Sequence, residues 1–148
     1  LFDHDRSAAK GGGAPIISKG ERLMLADLPA ALLVLGRLLL GGGFVFAGLR
    51  NIQNAGFLTG LMVARGVPQA RLALWAGIVL QIVAGVLVVT GFWTATACAV
   101  LVLFLIVATP MFHNFWDHQG QERASRINGF VGNVALSGGF LTLIAQSL

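Results

Sequence analysis

Apolar and polar positions divide the chain into one polar stretch followed by four long apolar runs. Residues 1–27 are polar and include Gly11-Gly12-Gly13, the pattern of a flexible arm, with a short surface helix expected over 16–26. Apolar runs then extend from Leu28 to Leu49, Arg71 to Val89, Trp93 to Phe112 and Ile127 to Leu148. A helix crossing a bilayer needs about 20 such residues. The alternation of a barrel strand is missing, and in lipid a helix satisfies its own backbone groups. The pattern therefore predicts an all-α integral membrane protein, a four-helix bundle over 28–148 preceded by the arm at 1–27. The link at Gly91-Phe92 is so short that the second and third helices must be antiparallel neighbours.

The link between the first two spans reads "NIQNAGFLTGLMVARGVPQAR". Asn54 suits a helix start, and Gly66 followed by Pro68 a stop. Phe57, Leu58, Leu61 and Met62 share one face, so a short helix lying at the membrane interface is expected there. Pro110 lacks an N–H and crowds the carbonyl of Ile106, which predicts a kink near the end of the third span, with the Thr109 hydroxyl re-bonding a freed carbonyl. The third span is bulky throughout 101–106, and its expected place is peripheral.

Composition supports the membrane assignment. The chain of 148 residues is 56% hydrophobic and 11% charged, with mean hydropathy +0.81, whereas a soluble domain carries about a quarter charged residues. The net charge of +4 is explained by Arg and Lys flanking the spans, so no nucleic-acid partner is expected. Arg50, Arg65, Arg71, Arg123 and Arg126 flank the first and third links. Their number favours cytoplasmic odd links with both termini outside. Cys98 is the one cysteine, so there is no internal disulfide and no CxxC pair. His113 and His118 are five apart, off a shared helical face, and no metal site is expected.

Arg37 is the one charge inside the first run. Counted from Leu28 it lies about 13.5 Å in, near the middle of a core of about 30 Å. Gly41, Phe44 and Gly48 share its face. Ala73, Gly77, Gln81 and Gly85 form a similar stripe on the second span, with Gln81 at mid-span and thus at the expected depth of Arg37. Gly129, Asn133 and Ser137 repeat the spacing on the fourth. No Asp or Glu lies within the four runs. Three readings of Arg37 stand at this point: a hydrogen-bond hub satisfied by Gln81, Asn133 and backbone carbonyls; a ligand site meeting a quinone carbonyl or lipid phosphate; and a partner for a neighbouring chain's carboxylate. His113, Trp116, Asp117 and His118 cluster at the end of the third span, either as part of an aromatic belt or as a seat for a quinone head group. The candidate cofactor-binding residues are Arg37, Gln81, His113, Trp116 and Asn133. No catalytic residue is assigned.

The segment "LLVLGRLLLGGGFVFAGLRNI" resembles the first helix of the DoxX family of bacterial membrane proteins. "RGVP", "QIVAGVLVVTG", "VATPMFHNFW" and "NGFVGNVALSGGFLTL" are similar to its later elements, so the resemblance covers residues 28–148. It implies a multi-pass protein of the bacterial cytoplasmic (inner) membrane, linked through some relatives with sulfur and thiol redox chemistry. Relatives often carry Glu where Gln81 stands and Lys where Gly132 stands, so an acid and a base are absent together. The reading that results is a non-catalytic integral subunit of a larger redox, respiratory or photosynthetic complex, holding a quinone or a bound lipid. Its partners would be other membrane-protein subunits, with the arm as docking segment, and membrane lipids. The alternative is the quinone-reducing membrane subunit of a thiosulfate-type oxidoreductase.

Overall fold

The computed structural model describes residues 18–148; the glycine run and most of the polar arm lie outside the described residues. Five helices follow in order: α1 Lys19–Gln53, α2 Ala55–Ala64, α3 Ala70–Thr90, α4 Thr94–Phe112 and α5 Gly120–Ser147, with a 3₁₀ turn over Phe115–Asp117 before α5. Among the described residues, α1, α3, α4 and α5 are long and apolar enough to cross a membrane, and α2 is the short helix between the first two. The all-α fold is as the hydropathy pattern predicts.

The chain forms two compact units, divided between Leu32 and Leu33. In the first, α1 begins with a reciprocal cap. Ser18 donates its backbone N–H to Glu21 at 2.7 Å, and the Glu21 N–H donates to the Ser18 hydroxyl at 3.2 Å. This is the capping box that S-x-x-E encodes. The cap sets the helix start at Lys19, so the short surface helix expected over 16–26 and the first span are one element. Pro29 lies inside it; the missing N–H removes one hydrogen bond without ending the helix.

In the second unit, residues 33–148, α1 and α3 run antiparallel at backbone contact. A Cβ on Gly41 would lie 2.6 Å from the Gly85 carbonyl oxygen, and one on Gly85 would lie 2.8 Å from that of Gly41. Phe44 leaves this seam to meet Phe104 and Phe140 edge-on, with ring centroids 6.4 and 5.2 Å away. Around it close Val88, Cys98, Leu101, Leu105 and Leu143, all buried. The supposedly peripheral third span is thus central: α4 buries Ala97, Cys98, Leu101, Leu105 and Thr109, whereas α5 buries Phe140 and Leu143. Small residues mark where backbones touch, but bulky ones fill the space between helices.

α2 packs Met62 against Ala70, Leu74 and Ile78, with Met111 and Phe112 of α4 alongside. Leu58 and Leu61 are half-buried, while Phe57 turns outward. The end of α2 follows the expected stop: Gly66 donates to the Val63 carbonyl at 2.9 Å and Val67 to that of Met62 at 3.1 Å, with Pro68 next. Asn54 stands at the start of α2 but makes no side-chain cap. Its amide reaches back to the Arg50 carbonyl at 2.9 Å, closing the end of α1 instead. Outward-facing Leu39, Phe46, Leu72, Leu103, Val107 and Val131 leave the surface apolar, as a lipid-facing exterior requires.

The α3–α4 link turns sharply because Gly91 and Trp93 both take left-handed backbone conformations, φ +77° and +49°. Such strain at a residue other than glycine costs about 1–3 kcal/mol. The turn stacks Phe92 on Trp93, centroids 5.3 Å apart, and exposes both rings at one end of the bundle.

Candidate functional site

The five residues singled out from the sequence stand in three places. Arg37 donates from Nε to the Val88 carbonyl at 3.2 Å and from Nη2 to the Val89 carbonyl at 3.3 Å. These are among the carbonyls that a helix C-terminus leaves without an internal partner, and a cation there is favoured by the helix dipole. Gln81 is not its acceptor. Gln81 sits eight residues before Val89, about 12 Å along α3, and its Oε1 accepts from the Asn51 amide at 2.9 Å. Counting from Leu28 misplaces Arg37 because the extent of an apolar run does not fix where its helix meets a neighbour. In the register set by Gly41 and Gly85, Arg37 lies level with the end of α3.

His113, Trp116 and Asn133 gather where α4 and α5 run antiparallel. The Asn133 amide donates to the Thr109 hydroxyl at 3.0 Å, and Ser137 donates to the Asn133 carbonyl at 2.9 Å. Thr109 therefore acts as a link between helices, where it was expected to re-bond a carbonyl of its own helix. Thr109, Asn133 and Ser137 line a groove of about 430 Å³ with Ile106, Phe130 and Trp116. His113 does not line the groove. Its imidazole packs against Gly129, one turn before Asn133, filling the place a Cβ would take. The groove can accept an apolar body, with a few hydrogen-bonding atoms on one wall.

The densest polar cluster was not anticipated. Asn114 is buried, and its Oδ1 accepts from two arginines: Arg65 at the end of α2 and Arg126 on α5, the latter at 2.7 Å. Its Nδ2 donates to Asp117 at 2.7 Å. Arg65 also donates to the Pro110 carbonyl at 3.4 Å, and Arg126 to that of Phe112 at 3.1 Å. Glu122 bridges Arg126 at 2.8 Å and lies 3.2 Å from His118. The end of α4 is thus closed by two cations, as the end of α3 is by Arg37. A readable signal existed: carbonyls exposed near Pro110 beside several arginines and few acids.

This cluster gives a direct expectation. Asn114→Leu leaves two guanidiniums without their shared acceptor and Asp117 without a donor. It should lower stability by roughly 2–3 kcal/mol. Thermal unfolding in mild detergent reads the loss, and an unchanged midpoint would show that the cluster contributes little. Asn114→Asp keeps an acceptor for both arginines and should melt between the two.

Comparison with known proteins agrees with the fold. Residues 32–114, more than half of the chain, match the DoxX family. Inner membrane protein YphA of Escherichia coli (strain K12) is 25% identical over 112 residues, covering 76% of this chain and 80% of that protein. No solved structure matches.

Proposed function

Since this chain belongs to the DoxX family, we propose that it is a non-catalytic integral subunit of a larger redox, respiratory or photosynthetic complex in the bacterial inner membrane. One observation carries this reading: Arg37, Gln81 and Asn133 are each engaged in holding one helix to another. Arg37 closes the end of α3, Asn51 holds Gln81, and Asn133 holds Thr109. Such pairing supports a scaffold more than a proton-handling site. The name of the Escherichia coli relative supports inner-membrane placement. The groove between α4 and α5 is the proposed seat for a quinone or a lipid chain, and residues 1–27 are the proposed docking segment for partner subunits.

A second reading, the quinone-reducing membrane subunit of a sulfur-compound oxidoreductase, draws on Trp116 and Asn133 lining one groove with His113 close by. One experiment separates the two. The tagged chain is purified from native membranes in mild detergent. Flavin- or haem-bearing subunits should accompany it, and fewer should do so after deletion of residues 1–20. A chain that purifies alone and reduces added quinone with a sulfur-compound donor would replace the first reading with the second.

A further inference from the structure

A second, larger groove lies between α2 and the beginning of α3, with a volume of about 780 Å³. Val63, Val67, Leu72 and Trp75 give it apolar walls, and Thr59 and Arg71 add polar groups. Arg71 is the second residue of α3, so it stands at headgroup level of the membrane. Arg65 and Arg126, at the same end of the bundle, are spent on helix ends and on Asn114. The nearby acids are engaged too, Asp117 by Asn114 and Glu122 by Arg126. Arg71 has no hydrogen bond or ion pair to any described residue.

An aliphatic groove ending on an uncompensated guanidinium matches a ligand that is apolar along its length and anionic at one end. A neutral lipid would fill the walls and leave the charge unmet; a quinone has the tail without the charge. We propose that this groove seats one anionic phospholipid, its phosphate on Arg71 and an acyl chain along Val63, Leu72 and Trp75. The seat is separate from the groove between α4 and α5 and does not depend on the proposed role in a complex.

The test uses the full chain carrying Trp93→Phe and Trp116→Phe, so that Trp75 is the remaining tryptophan. It is reconstituted in vesicles of ordinary phosphatidylcholine with increasing brominated phosphatidylglycerol, and in the converse series of ordinary phosphatidylglycerol with increasing brominated phosphatidylcholine. Trp75 quenching should show about a fivefold preference for phosphatidylglycerol, the contribution of one basic side chain at an anionic surface. Arg71→Gln should reduce that preference to near one. Arg123→Gln, which removes an exposed charge at the same end but outside both grooves, should keep it. Equal quenching by the two lipids, or a preference that survives Arg71→Gln, overturns the proposal. So does displacement of the lipid by inorganic phosphate, which would make the ligand a free anion. Protection of Trp75 from both lipids would also overturn it, by showing that protein covers the groove.

Discussion

Gly41→Val is expected to prevent α1 from seating on α3. A Cβ at this position would lie 2.6 Å from the Gly85 carbonyl oxygen and 3.0 Å from the Val89 nitrogen. Both are backbone atoms of a helix and cannot rotate away. The two helices must separate along the seam, which withdraws Phe44 from the core and lengthens the hydrogen bonds of Arg37 to Val88 and Val89. Overpacking a close-packed interior costs about 1–3 kcal/mol where side chains can adjust. Here they cannot, so a loss on the order of 3 kcal/mol or more is expected. Gly42→Val is the control, because a Cβ on Gly42 meets nothing within 4 Å. Thermal unfolding of the two variants in the same detergent should separate them widely. Equal midpoints would mean that the α1–α3 seam is looser than its contacts indicate.

Gly91→Ala should be nearly as damaging, for two separable reasons. The residue holds φ +77°, where a Cβ costs roughly 1–2 kcal/mol. That Cβ would also fall within 2.6 Å of guanidinium atoms of Arg37, pushing the side chain off the carbonyls it closes. Arg37→Leu alone removes the side-chain donor of the Val89 carbonyl, while Val88 keeps the Gly91 N–H, a cost of about 1–3 kcal/mol. The double variant has no guanidinium to displace, so it should be less destabilised than the sum of the singles. A double-mutant cycle measures the difference. Strict additivity would limit the role of Gly91 to its backbone conformation.

The spans and the short α2 were readable because lipid leaves the backbone few options, so long apolar runs become helices whatever their neighbours do. Register was not readable in the same way. Counting from Leu28, where apolar composition begins, measures a run of residues and says nothing of where α1 meets α3, which the close approach of Gly41 and Gly85 decides. The count therefore sets Arg37 opposite Gln81, whereas its acceptors lie at the end of α3. The stripes of small and polar residues did identify real seams: Gly41 with Gly85, and Gly129 and Asn133 facing α4. They did not rank helices by burial, because the side chains that fill a core are the bulky ones, and α4 carries those. The sequence does not show the Asn114 cluster because its members are scattered over the end of α2, the α4–α5 link and α5, and only the fold brings them together. Of the residues proposed to hold a ligand, Trp116 and Asn133 share a groove while Arg37 and Gln81 stand elsewhere.

The closing of α3 by a side chain from α1 also bears on the order in which the chain is made. Arg37 leaves the ribosome some 51 residues ahead of its acceptor at Val88. Throughout that interval the first helix carries a permanent charge with no partner within its own span, and an arginine deep in hydrocarbon is costly. Its level beside the Gly91–Trp93 turn offers a refuge, because water and headgroups lie within reach of a long side chain there. Pairing with the second span supplies two carbonyls in place of water, and so favours the arrangement of the new helices in which the charge and the helix end are satisfied together.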